Sequence, residues 1–304
     1  MKHRSALAWM VPLIGALALV AAGMGLFDQT AGQPYALTSF RGEQVQINGH
    51  GLYFYDTVSG AAQMRGNDLV TILVAVPLLL GSFWLAGRGS LRGRLVLTGT
   101  LGFVLYTYAS MVFGTAYNAL FLVYVALFGL GLFGFILSLD SFDVAALPRH
   151  FSARLPWRGI AGLLFATGGF LLLAWMGRIV PPLLSHETPP LENVTSLFIQ
   201  GLDLGVIVPA AFVVGALVLR RNPWGFLLAA VMVMKFLTLG LAVSMMGLTM
   251  ALAGVARGPS GWPVELGVFP LLTLVNAVFA TLLLKHTHGG IDAPAPRRRA
   301  RPAH

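Results

Sequence analysis

"NDLVTILVAVPLLLGSFWLAGRGSLRGR", residues 67–94, opens with an acid, runs through some twenty apolar or small residues broken by one proline, and ends among arginines. An apolar run of about twenty residues crosses roughly 30 Å of hydrocarbon. Arginine just beyond such a run marks its cytoplasmic end. The same pattern recurs along the chain, and eight spans are predicted: 6–26, 68–87, 95–114, 119–138, 159–181, 201–219, 225–249 and 264–284. The predicted fold is therefore an all-α polytopic membrane helix bundle, with one membrane domain over 1–284 and a tail over 285–304. Composition agrees, at 57% hydrophobic, 10% charged and a mean hydropathy of +0.78. A soluble chain would carry about a quarter charged residues.

Charge sets the orientation. The N-terminus and segments 88–94, 139–158, 220–224 and 285–304 hold fifteen of the 20 lysines and arginines. The opposite loops hold Arg41, Arg65 and Arg257, with Arg178 near a helix end, and eight of the 11 acids lie on or near that side. Both termini are expected in the cytoplasm, in a cell (inner) membrane. The arginine bias and abundant Ala and Gly suggest a GC-rich bacterium. A net charge of +9 would point a soluble chain toward nucleic acid. Here the charge sits in short loops and points to anionic membrane lipids instead. With no cysteine, disulfides, thiolate nucleophiles and cysteine-held metals are excluded.

The first span has the basic start of a signal peptide, but its apolar run of about eighteen residues exceeds the usual 7–15, so a retained helix is expected. A lysine within the membrane invites a retinal-protein reading. Lys235, however, lies in the penultimate span, and the last, "VELGVFPLLTLVNAVFATLLL" (264–284), holds no lysine. No cofactor is expected, and no spacing among His50, Asp56, His186 and Glu187 resembles a metal site.

The largest outer loop is 27–67. Within it "EQVQINGHGLYFYDT" (43–57) alternates around Asn48-Gly49, which predicts a short external β-hairpin there, either resting on the bundle or acting as a lid. The second outer loop, "PPLLSHETPPLEN" (181–193), should be stiff and irregular. The tail "APAPRRRARPAH" (293–304) has nothing apolar to bury and reads as disordered along the inner leaflet.

A comparison of 67–94 with "LDLGVIVPAAFVVGALVLRR" (202–221) suggests a repeat. Each has Asp-Leu at the outer end, one proline within and arginines at the inner end. Pro77 and Pro209 both fall ten residues before that end, about 15 Å deep. Residues 1–138 and 159–284 are then two parallel four-helix units related by an axis along the membrane normal. Each proline removes an N–H and displaces the carbonyl four residues earlier, here Leu73 and Gly205. Matched interruptions of this kind mark hinges or binding sites in transporters.

Depth counting places Lys235, Asn276 and Tyr106 near mid-membrane with Pro209, Asp203 about 8 Å further out, and Asp68, Asn118, Arg178 and Glu265 near the outer interface. A lysine at the centre of a span costs about 2.5–3.5 kcal/mol, so it should face the bundle interior. Its expected acceptors are the Asp203 carboxylate and the Gly205 carbonyl. Tyr106 and Tyr108, deeper than an interfacial belt, could line a cavity with Lys235 and Asn276.

Three function classes fit. One is an outward-facing carrier or receptor for a small anionic or amphipathic molecule, a lipid among them. Another is a non-catalytic membrane partner or assembly factor that binds other proteins. The third, a membrane enzyme using Lys235 and Asp203, lacks any recognisable nucleophile, P-loop or paired-histidine motif.

Overall fold

The computed structural model describes residues 3–28, 30–255 and 264–288, with the side chains of Val264 and Glu265 left aside. Among these residues, eight helices are long and apolar enough to cross a membrane: Arg4–Phe27, Val58–Gly87, Leu91–Gly114, Phe121–Asp140, Trp157–Leu184, Phe198–Leu219, Pro223–Leu252 and Leu266–Lys285. The protein is a multi-pass all-α bundle carrying one small two-stranded hairpin. The basic tail and Arg257 lie outside the described residues.

Local chemistry sets several helix starts. Thr57, Ser90 and Asn222 each cap an N-terminus, accepting from Gly60 N–H at 3.0 Å, Gly93 N–H at 3.1 Å and Trp224 N–H at 2.9 Å. Pro223 then occupies the first turn of the seventh span, where a missing N–H costs nothing.

The second span begins at Val58, ten residues before the expected Asp68, so the loop before it is shorter than the expected 27–67. Residues 58–67 are too polar to read as membrane-spanning, yet Ala61, Ala62, Gly66 and Asn67 are buried. Small residues replace apolar bulk because the seventh span lies unusually close. A Cβ on Gly66 would stand 2.7 Å from Met246 backbone atoms, and Thr249 donates to the Ala62 carbonyl at 2.7 Å. This is the small-residue packing that membrane helices use in place of a hydrophobic drive.

The hairpin pairs Tyr35–Thr38 with Gln44–Ile47, antiparallel, and turns through Ser39–Glu43 with Gly42 at φ 83°. Asn48-Gly49 is not its turn. It follows the second strand and folds the chain back so that Ile47 meets Thr57 in a single bridge.

The third and seventh spans are the most buried and cross at the centre. The third packs on the second, fourth and seventh, and the seventh packs on the second, sixth and eighth. One apolar core lies among the first four spans. A second joins the last four to the N-terminal end of the third. At one end the His3 ring meets Asp140 at 2.7 Å, Phe151 bridges Thr287, and Arg92 Nε donates to the Thr287 carbonyl at 3.0 Å. The N-terminus and the segments 88–94, 139–158 and 285–288 therefore share a side. The hairpin and the 185–197 loop share the other.

Candidate functional site

Three spans carry the same interruption. The second has a π-turn at Thr71–Ala75 before Pro77, the sixth at Asp203–Ile207 before Pro209, and the eighth at Val264–Val268 before Pro270. In the first two, the residue before the proline reaches back five positions, Val76 N–H to the Thr71 carbonyl and Val208 N–H to the Asp203 carbonyl. A proline cannot donate and crowds the preceding turn, and one extra residue in that turn absorbs the conflict. Pro77 and Pro209 each stand second in the twelve-residue helix that ends its span, Val76–Gly87 and Val208–Leu219. The third interruption went unread, although "ELGVFP" (265–270) closely follows "DLGVIVP" (203–209).

Asp203 opens the sixth span's π-turn and is buried. Its Oδ1 accepts from the Tyr106 hydroxyl at 2.7 Å and its Oδ2 from Trp175 Nε1 at 2.9 Å. The third and fifth spans thus converge on one carboxylate of the sixth. Trp175 was not foreseen. The available signal was an indole deep in "FLLLAWMGR" (170–178), whose N–H needs an acceptor wherever water is excluded.

Lys235 arrives from the seventh span, 7% exposed. It takes neither expected acceptor. Its Nζ lies 4.1 Å from the centroid of the Tyr106 ring and 5.5 Å from that of Phe236, and has no hydrogen-bond partner among the described residues. Tyr106 stands between the charges, giving its hydroxyl to Asp203 and its ring to the ammonium. A desolvated cation–π contact contributes about 2 kcal/mol. Each hydrogen bond to a charged group contributes about 1.5–3 kcal/mol, and an ammonium has three donors. The ring therefore offsets only part of what burial removes.

The other predicted residues disperse. Asn276 donates to its own helix at the Leu272 carbonyl, 2.9 Å away, and its buried Oδ1 has no partner among the described residues. Tyr108 faces away from Tyr106 and stacks on Tyr124 at 6.2 Å between ring centroids. Asp68 belongs with those rings, its Oδ2 accepting from the Tyr53 hydroxyl at 2.6 Å. Asn118 Oδ1 caps Leu120 N–H at 2.9 Å, and Arg178 donates to the Pro190 carbonyl at 2.7 Å. Both are parts of loop architecture. The Glu265 side chain lies outside the described ones.

The two loops on the hairpin side are joined. Four consecutive residues of the second are held by the first: Leu191 N–H by Glu43 at 3.4 Å, Glu192 by the Thr57 hydroxyl, Asn193 by the Tyr55 carbonyl at 2.9 Å, and the Val194 carbonyl by Arg41 at 2.6 Å. Just past this clasp a cleft of about 210 Å³ runs between 113–116 and 193–198, with Thr195, Ser196, Phe113 and Phe198 among its lining residues. Phe198 precedes Asp203 by five residues, so the cleft lies roughly 8 Å along the helix from the carboxylate. No family model, curated protein or solved structure matches the chain.

Proposed function

We propose that the protein is an outward-facing carrier or receptor for a small amphipathic molecule, whose anionic or hydrogen-bond-accepting head is taken by Lys235. The observation that carries this reading is the buried ammonium with no hydrogen-bond partner among the described residues, beside a carboxylate already supplied with two donors. An acceptor brought in by a ligand would supply what Tyr106 cannot. The cleft on the hairpin side supports the reading, because polar and aromatic residues line it together at the ends of the helices that carry Tyr106 and Asp203. In this reading that end faces out and both termini face the cytoplasm, as the arginines suggest.

The second reading is a non-catalytic partner in which these groups only join helices. The doubly satisfied Asp203, contacted from the third and fifth spans, favours it. Thermal melting in a maltoside detergent separates the two. Added dodecyl phosphate should raise the melting temperature of the wild type and leave Lys235→Met unchanged, while a dodecyl chain with a neutral head should do little to either. Equal shifts in wild type and variant would remove the ligand-binding reading and leave the joining role.

A further inference from the structure

Asp68 is 3% exposed, more deeply buried than Lys235, yet it is provided for far more poorly than Asp203. The hydrogen bond drawn to its carboxylate comes from the Tyr53 hydroxyl, and no cation among the described residues lies within ion-pair distance. The nearest charge on its own helix, Arg65, gives its guanidinium to His50 Nε2 at 3.1 Å. From the first span Gly25 presses onto the pair so closely that a Cβ there would stand 2.0 Å from Asp68 Oδ2 and 2.6 Å from the Tyr53 oxygen. The third and fourth spans present the stacked, buried phenols of Tyr108 and Tyr124. The titratable and charged groups around Asp68 are therefore three tyrosines and one arginine that is engaged elsewhere.

An ionised carboxylate without a cation costs several kcal/mol in such a place, and one phenolic donor returns only about 1.5–3 kcal/mol. A protonated carboxyl avoids the cost. Its carbonyl oxygen still accepts from Tyr53, and it leaves no charge to be offset.

We infer that Asp68 is a proton-binding site, carrying a neutral carboxyl that exchanges its proton with water at the hairpin end of the bundle. The step is proton transfer alone, from water to a carboxylate oxygen and back, with Tyr53 keeping its own hydrogen. The inference does not depend on whether Lys235 takes a ligand.

Infrared difference spectroscopy of the full chain in detergent, in H₂O and D₂O at mildly alkaline pH, tests it. A deuterium-sensitive carbonyl band of a protonated carboxylic acid should be present in the wild type and in Lys235→Met, and should disappear in Asp68→Asn. Tyr53→Phe removes a hydrogen bond but no charge, and should move the band to higher frequency. That variant keeps the test alive if Asp68→Asn does not fold. A folded wild type without the band, or a band unmoved in both variants, would overturn the inference. So would a band abolished by exchanging potassium for sodium, which would make the site a metal-cation site.

Discussion

Asp56 sits just before the second span, 4% exposed, with one oxygen accepting from Ala116 N–H at 2.9 Å and the other without a partner among the described residues. Burial pushes its carboxyl up from 3.8 to about 7, against the smaller opposing effect of the Ala116 N–H. The unfolded carboxyl loses its proton near its ordinary value, so between there and about 7 the folded form holds the extra proton. Stability is then greatest below the unfolded value, falls as pH rises through this window, and levels off above it. Between about pH 5.5 and 7 the loss is about 2 kcal/mol, at about 1.4 kcal/mol per unit. Asp56→Asn should flatten that slope in melting temperature. A variant that melts with the wild-type pH dependence would show that another group controls it. Depth counting set Lys235, Tyr106 and Asp203 within about 8 Å of one another along the bundle, and Tyr106 does touch both of the others. It could not foresee direction around the helix. Tyr106 and Tyr108 have nearly equal depth but point about 200° apart, so Tyr106 reaches Asp203 while Tyr108 stacks on Tyr124.

At the scale of elements, the third and seventh spans owe their close crossing to small residues. A Cβ on Gly99 would lie 2.3 Å from Met234 Cβ, whereas one on Gly102 would meet Phe135 at 3.3 Å and the Lys235 stem at 3.8 Å. Gly99→Ala should cost about 1–3 kcal/mol by overpacking, and Gly102→Ala should cost far less. Comparable melting temperatures for the two variants would mean that the crossing is looser than it looks. All eight apolar spans were legible because length and hydropathy suffice. The start of the second was not, because alanine and glycine bury a face without raising hydropathy. The hairpin turn was misplaced because two positive-φ glycines, Gly42 and Gly49, bracket the second strand, and Asn-Gly is the stronger turn signal of the two.

For the molecule as a whole, the arginine-rich segments gather at one end and the two long loops at the other. Reporters fused after Arg94, Arg158 or Arg221 should therefore report from the cytoplasm, and those inserted in 30–57 or 185–197 from outside. Opposite answers from the two long loops would contradict the bundle itself, and a uniform reversal would contradict only the proposed orientation. The two-unit repeat stays a proposal. Pro77 and Pro209 hold equivalent places in their helices, but the eighth span has a π-turn that the fourth, its counterpart, does not.

The clasp at 191–194 bears on how the chain tolerates cutting. The stretch just before it, Ser185–Thr188, is exposed and is the natural place for a protease to enter. A nick there would separate the fifth span from the sixth in sequence, yet residues 191–194 would stay tethered to the first loop, and Asp203 would stay bonded to Trp175 across the break. Covalent continuity at this point is then redundant: the cleaved molecule would be two fragments by mass and one body by behaviour.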